Sequence, residues 1–209
     1  MSFVKKIVLA ALMIFSLNAF SQNYEYPVLK QGVKNDIENL IANQNNFVGG
    51  TTASGNSILY LKYNNNSINV FSKYTSTNYI FDDPSSDISY STPLITVSPY
   101  EYGTYQCVQF AQVISNAGKA NLTWKSDGNF IDRTTYLHWK LIAKFNSNGF
   151  YDGLNGGHVA LAIGSNANGV YVIDQNWEGN SSSNYGKIAI HIIPWETAEE
   201  YSLLTKPSN

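Results

Sequence analysis

The chain has a single cysteine, Cys107, and little charge: Asp, Glu, Lys and Arg together make up 13% of its 209 residues. A lone thiol excludes an intramolecular disulfide framework. The 13 basic residues are scattered, so the electrostatic footprint of a nucleic-acid binder is missing. After one apolar run near the start, no stretch reaches the roughly 20 apolar residues that cross a bilayer. One thiol and three distant histidines provide no zinc-ligand spacing. What the chain does have is material to bury, with 44% hydrophobic and 14% aromatic residues, including 15 Tyr. Such a composition belongs to a globular protein and not to a disordered one.

The opening "MSFVKKIVLAALMIFSLNAFSQNYEYP" has the layout of a secretory signal peptide. Lys5 and Lys6 form the positive region, Ile7 to Leu17 the apolar run, and Ala19 and Ser21 set a cut before Gln22. The expectation is that residues 1–21 are removed and the mature chain is secreted or periplasmic, with no integral membrane segment. Losing Lys5 and Lys6 moves the formal charge from −2 to −4.

Residues 22–98 read as a helix followed by a small β accessory region. "QGVKNDIENLIANQNN" puts Val33, Ile37, Leu40 and Ile41 on one helical face. "SILYLKY" and "SINVFSKY" read as strands joined by a turn at "NNN", and "NYIF" as another strand before the breaker "DDPSSD". From residue 99 the pattern changes. "CVQFAQVISNAG" spaces Cys107, Phe110, Ala111 and Ile114 as a helix that stops at Asn116 to Gly118. "TWKSDGNF" reads as loop and "LIAKF" as strand. "GGHVALAIG" and "GVYVID" read as an antiparallel hairpin across "SNANG", and "KIAIHIIPW" as a further strand. The tail reads as polar and weakly helical. A helix followed by an antiparallel sheet predicts an α+β architecture for residues 99–209.

An unpaired thiol in an exported protein is either a small buried hydrophobe, an intermolecular link or a nucleophile. Cys107 opens a predicted helix, where the dipole and free N–H groups favour thiolate and can hold an oxyanion. A thiolate nucleophile needs a base beside it. Of the three histidines, His138 and His191 read as structural, His191 because it lies inside the strand "IAIHII". His158 follows Gly156 and Gly157 at a strand start, where backbone can approach closely. If the hairpin turns about Asn166, His158 faces Asp174; if about Ala167, it faces Asn176. Either residue would orient the imidazole, the third role in a nucleophile–base–orienter set.

"YQCVQFA", "GGHVALAIG" and "VYVIDQNW" resemble the three motif blocks of CHAP-type amidohydrolase/peptidases and their NlpC-like relatives, over roughly residues 99–195. "TWKSDGNF", with Trp124 and Gly128, resembles the Trp–Gly loop of the same group. The resemblance implies a papain-like core, with an N-terminal nucleophile helix packed on an antiparallel β-sheet. It implies Cys107 as nucleophile, His158 as general base, Asp174 as orienting acid and Asn176 as a further polar partner. Trp177, Trp124 and Tyr105 become candidates for binding substrate. The implied reaction is cleavage of an amide in peptidoglycan or a peptide through a thioester, without metal or cofactor. An inhibitor or immunity protein would be a further partner. The sequence departs from the group at "LIAKF", which replaces a Gly-Asp pair, and at Asp174, where CHAP domains usually carry Glu. A non-catalytic envelope module and a transglutaminase-like enzyme are the competing readings. The complete nucleophile–base–orienter set argues against the first and the "GGHVALAIG" block against the second.

Overall fold

A computed structural model gives the structure over residues 22–52, 55–75, 79–82, 94–97, 107–118, 120, 123–177 and 186–208. Residues 1–21, where a signal peptide is expected from the sequence, and Tyr105 lie outside the described residues. Four helices are described: α1 (Val33–Ala42), α2 (Asn65–Phe71), α3 (Cys107–Ile114) and α4 (Trp195–Ala198). The strands are β1 (Tyr24–Glu25), β2 (Phe47–Thr51), β3 (Ser57–Leu61), β4 (Tyr79–Asp82), β5 (Leu94–Val97), β6 (Lys125–Phe130), β7 (Lys140–Lys144), β8 (Val159–Asn166), β9 (Gly169–Gln175), β10 (Ile188–Pro194) and β11 (Tyr201–Pro207). Nine of them form one antiparallel sheet in the order β1-β11-β7-β8-β9-β10-β3-β2, with β6 also paired to β11. β4 and β5 pair separately.

This architecture corrects the expected fold class. The molecule is dominated by a nine-stranded sheet with a few short helices, and is not an α+β papain-like core with a nucleophile helix. The reason lies in segments whose composition hides their state. "YSLLTKP" looks polar, yet as β11 it runs between β7 and β1 and buries Ser202, Thr205 and Lys206. Those polar groups are tolerated where they find partners. Thr205 Oγ1 donates to the Lys125 carbonyl at 2.8 Å, and Lys206 Nζ donates to Glu25 on β1. "KSDGNF", read as loop, is β6, paired to β11. In the opposite sense, "SINVF" is helical despite its β-branched and aromatic content. Asn64 caps α2 by accepting the Asn66 and Ser67 N–H groups while Ser67 Oγ accepts the Asn64 N–H, a reciprocal capping box. The "NNN" read as a hairpin turn is therefore a helix start.

Strands β8, β9 and β10 are buried on both faces. On one face Val159, Leu161, Ile173 and Ile190 pack with α1 and α3 through Val33, Ile37, Leu40, Phe110 and Ile114. On the other, Ala160, Ala162, Val172 and Ile193 pack with Ile131, Leu137, Trp195 and Tyr201. Alternation along each strand assigns successive side chains to these two layers. Among the described residues no helix is long and apolar enough to cross a membrane.

Candidate active site

Cys107 begins α3, which packs on β8 and β9. The thiol is 4% exposed and belongs to the apolar layer under the helix. His158 lies one residue before β8, held by its carbonyl, which accepts the Lys144 N–H at 2.9 Å from β7. Gly157 makes the approach possible. Its N–H donates to the Asp152 carbonyl at 3.0 Å, and a Cβ there would stand 2.6 Å from that same oxygen. The His158 side chain keeps 13% of its surface in solvent, whereas the Asp174 side chain has none.

The structure brings Cys107, His158 and Asp174 together. His158 Nε2 lies 2.7 Å from Asp174 Oδ2. With Nε2 so engaged, Nδ1 is the ring nitrogen left for the Cys107 thiol, whose pKa the neighbouring imidazole lowers. A β-bulge makes this pairing possible. Near the turn, Asn166, Ser165 and Gly164 face Gly169, Val170 and Tyr171. Past an extra residue at Ile163, Ala162 and Leu161 face Val172 and Ile173. Continuing the register of the turn would set His158 opposite Trp177 and Asp174 on the far face, because a one-residue slip inverts the faces. The bulge returns Asp174 to the side of His158. Neither turn centre weighed from the sequence is the observed one: past the bulge the strands follow the register that sets His158 opposite Asn176, and His158 reaches Asp174 diagonally on the same face.

Asn176 does something different. Its φ is +63°, its Oδ1 accepts the Gly186 N–H at 3.0 Å, and its own N–H donates to the Lys187 carbonyl at 3.0 Å. Those bonds tie the end of β9 to the start of β10. Trp177 packs edge-on to His158, with ring centroids 5.2 Å apart, and is half-buried over the site. Trp124, a substrate-binding candidate from sequence, is fully buried. Its Nε1 donates to the Ala117 carbonyl at 2.8 Å, so it backs the site from the core and offers no surface to a ligand.

Two groups escaped the sequence reading. Tyr151, in the loop before His158, places its hydroxyl 3.4 Å from Cys107 Sγ, and its ring lies 5.2 Å from that of Trp124. His191, read as structural, sits on β10 with Nε2 3.0 Å from the same Asp174 Oδ2. Its ring lies 4.2 Å from that of Trp177. The alternation of "IAIHIIP" puts His191 on one face with Ala189, and Ala189 is the residue that pairs with Asp174. Residues 176–187 separate β9 from β10 in the sequence, so no short turn fixed that register in advance.

The electrostatics follow from this packing. Burial pushes the Cys107 thiol up, but the charge of His158 and hydrogen bonds from His158, Tyr151 and the Val159 N–H outweigh it, and the thiol is lowered. Burial pulls the His158 imidazole down, and Cys107 and Asp174 more than reverse this, to about 10. For Asp174, burial raises the carboxyl while His191 and then His158 hold it down, at about 2. Burial and the neighbouring thiolate keep the Tyr151 phenol protonated, so it can only be a donor toward a thiolate. The arrangement favours a thiolate–imidazolium pair. Although Cys, His and Asp converge, no group of three or more is arranged to hold a metal ion among the described residues.

No family model matches the chain, and no curated protein does. Among solved structures it has a distant neighbour. This is type 6 secretion amidase effector 2 (Tae2), at 22% identity over 50% of this chain and 82% of that one, with a TM-score of 0.39.

Proposed function

We propose that the protein is an exported cysteine amidohydrolase that cleaves an amide bond through a thioester, with peptidoglycan as the substrate class. The observation that carries the reading is the line Cys107–His158–Asp174, in which a 2.7 Å bond orients an imidazole beside a thiol of lowered pKa. The likeness of the Cys107, His158 and Asp174 blocks to cell-wall amidohydrolases supports the substrate class.

In this reading the Cys107 thiolate attacks the amide carbon and its electron pair forms the C–S bond. The carbonyl oxygen becomes an oxyanion, which the dipole at the start of α3 and the Tyr151 hydroxyl stabilise. His158 Nδ1 gives its proton to the leaving amine as the C–N bond breaks. Water then attacks the thioester, Nδ1 takes its proton, and the thiolate leaves with the acid released. Asp174 keeps Nε2 protonated and the ring in place throughout.

The test is digestion of purified sacculi by the mature chain, with new amines and released fragments read by mass spectrometry. Wild type should release fragments and Cys107→Ala none. Equal inertness of both, together with ordinary alkylation of Cys107, overturns the hydrolase reading. The released termini distinguish a sugar–peptide amidase from a stem-peptide endopeptidase.

A further inference from the structure

The Asp174 carboxylate serves two imidazoles, and only one of them belongs to the reacting line. His191 Nε2 and His158 Nε2 both converge on Oδ2, at 3.0 and 2.7 Å. Asp174 is ionised, and a carboxylate only accepts, so each Nε2 carries a hydrogen. That fixes His191 as the Nε2–H tautomer.

The surroundings of His191 are otherwise apolar. Its side chain is 1% exposed, its backbone faces Val172 on β9 and Ile58 on β3, and Ala189 shares its face. The indole of Trp177 covers the ring. Asp174 Oδ1 and His191 Nδ1 find no hydrogen-bond partner among the described residues. The titratable groups facing the carboxylate are His158, His191 and Tyr201. A network serving stability alone gains little from this arrangement, since buried ion pairs replaced by apolar residues are commonly as stable. Its distinctive consequence is electrostatic: a fully buried carboxylate stays ionised only while donors meet it.

We propose that His191 is a positioning residue for the Cys107–His158 pair, acting through Asp174. Its Nε2–H holds the carboxylate ionised and aimed, so that the carboxylate can support the imidazolium of His158. This rests on the hydrolase reading of Cys107, but its test does not need the natural substrate. Remove the donor, and the buried carboxylate takes a proton more readily. The imidazolium then loses its counter-charge and the thiolate becomes harder to form.

The experiment is the pH dependence of Cys107 alkylation by iodoacetamide in the mature chain. Wild type should react well below the pH at which a free thiol ionises. His191→Phe should move the acid limb upward by about one pH unit, a loss of roughly tenfold in rate near pH 6. His191→Gln, whose amide can reach the Nε2 position as a donor, should stay within about twofold of wild type. A merely structural role would lower the melting temperature of both variants and leave the limb in place, and that result overturns the inference. Should His191→Phe fail to fold, ¹⁵N-histidine NMR of wild type decides: an Nδ1–H tautomer at His191 overturns it and an Nε2–H tautomer supports it. A wild-type thiol that titrates like a free one overturns the hydrolase reading itself, whatever the variants do.

Discussion

Tyr151 shows how much of the site depends on one hydroxyl. Its ring is fixed by the core, 1% exposed and tilted against Trp124, so little rotamer freedom remains to be lost when the hydroxyl meets the thiolate. A hydrogen bond to a charged partner is stronger than a neutral one, and here it is aimed in advance. Tyr151→Phe keeps the ring and removes the donor. We expect a rise in the thiol pKa worth about 1 kcal/mol, or roughly a fivefold drop in alkylation below neutrality. Stability should change by less than that, because the packing against Trp124 is retained. Iodoacetamide rates at pH 6, beside a thermal melt, separate the two effects; an unmoved rate would show that the hydroxyl serves the Gly157 carbonyl, 3.4 Å away, and not the thiol.

At the scale of elements, the loop before β8 and the bulge within it do the positioning. Gly156 and Gly157 are adjacent but differ in what they permit. Gly156 has φ +85° and open space around its Cβ position, so Gly156→Ala adds only backbone strain, about 1 kcal/mol. Gly157→Ala drives a methyl into the Asp152 carbonyl at 2.6 Å, and the backbone that must yield is the one that carries His158. The expected contrast is a lowered melting temperature with near-normal hydrolysis for Gly156→Ala, against at least a tenfold loss of rate for Gly157→Ala. Equal rates would mean that His158 is placed by β8 alone. This region also shows what a sequence can disclose. The periodicity of "CVQFAQVI" and "VKNDIENLIA" is set locally, by burial of one helical face, and α3 and α1 follow it. The candidates Cys107, His158 and Asp174 could be picked out because each stands at the end of such an element. The bulge at Ile163 could not, since nothing in "ALAIGSN" marks an extra residue; it arises from pairing with two neighbours at once. His191 stayed hidden for the same reason, as its meaning comes from a strand that is distant in the chain.

Over the whole molecule, a chain poor in charge places one carboxylate where water cannot reach it. β8, β9 and β10 lie side by side in the middle of the sheet and bring His158, Asp174 and His191 to one end of it. The cost of burying Asp174 is met by two imidazoles, and pH can withdraw that compensation. A carboxyl held low in the folded state contributes stability that is present above its unfolded pKa, about 3.9, and lost as pH falls through its folded value. For Asp174 that folded value is about 2. The drop should therefore begin near pH 4 and continue to about pH 2, with a size on the order of 2 kcal/mol. His158 bounds the other side. Its imidazole is raised, so its contribution is complete below about 6.5 and disappears as pH rises through about 10. Asp174→Asn removes the acid limb without changing the shape of the side chain. Urea unfolding at pH 5 and pH 2.5 should show wild type losing about 2 kcal/mol more than the variant over that interval. The comparison cancels the other carboxylates, because they titrate in both proteins. If the two proteins lose stability in parallel, Asp174 is not held ionised by its imidazoles, and the support it lends to His158 disappears with it.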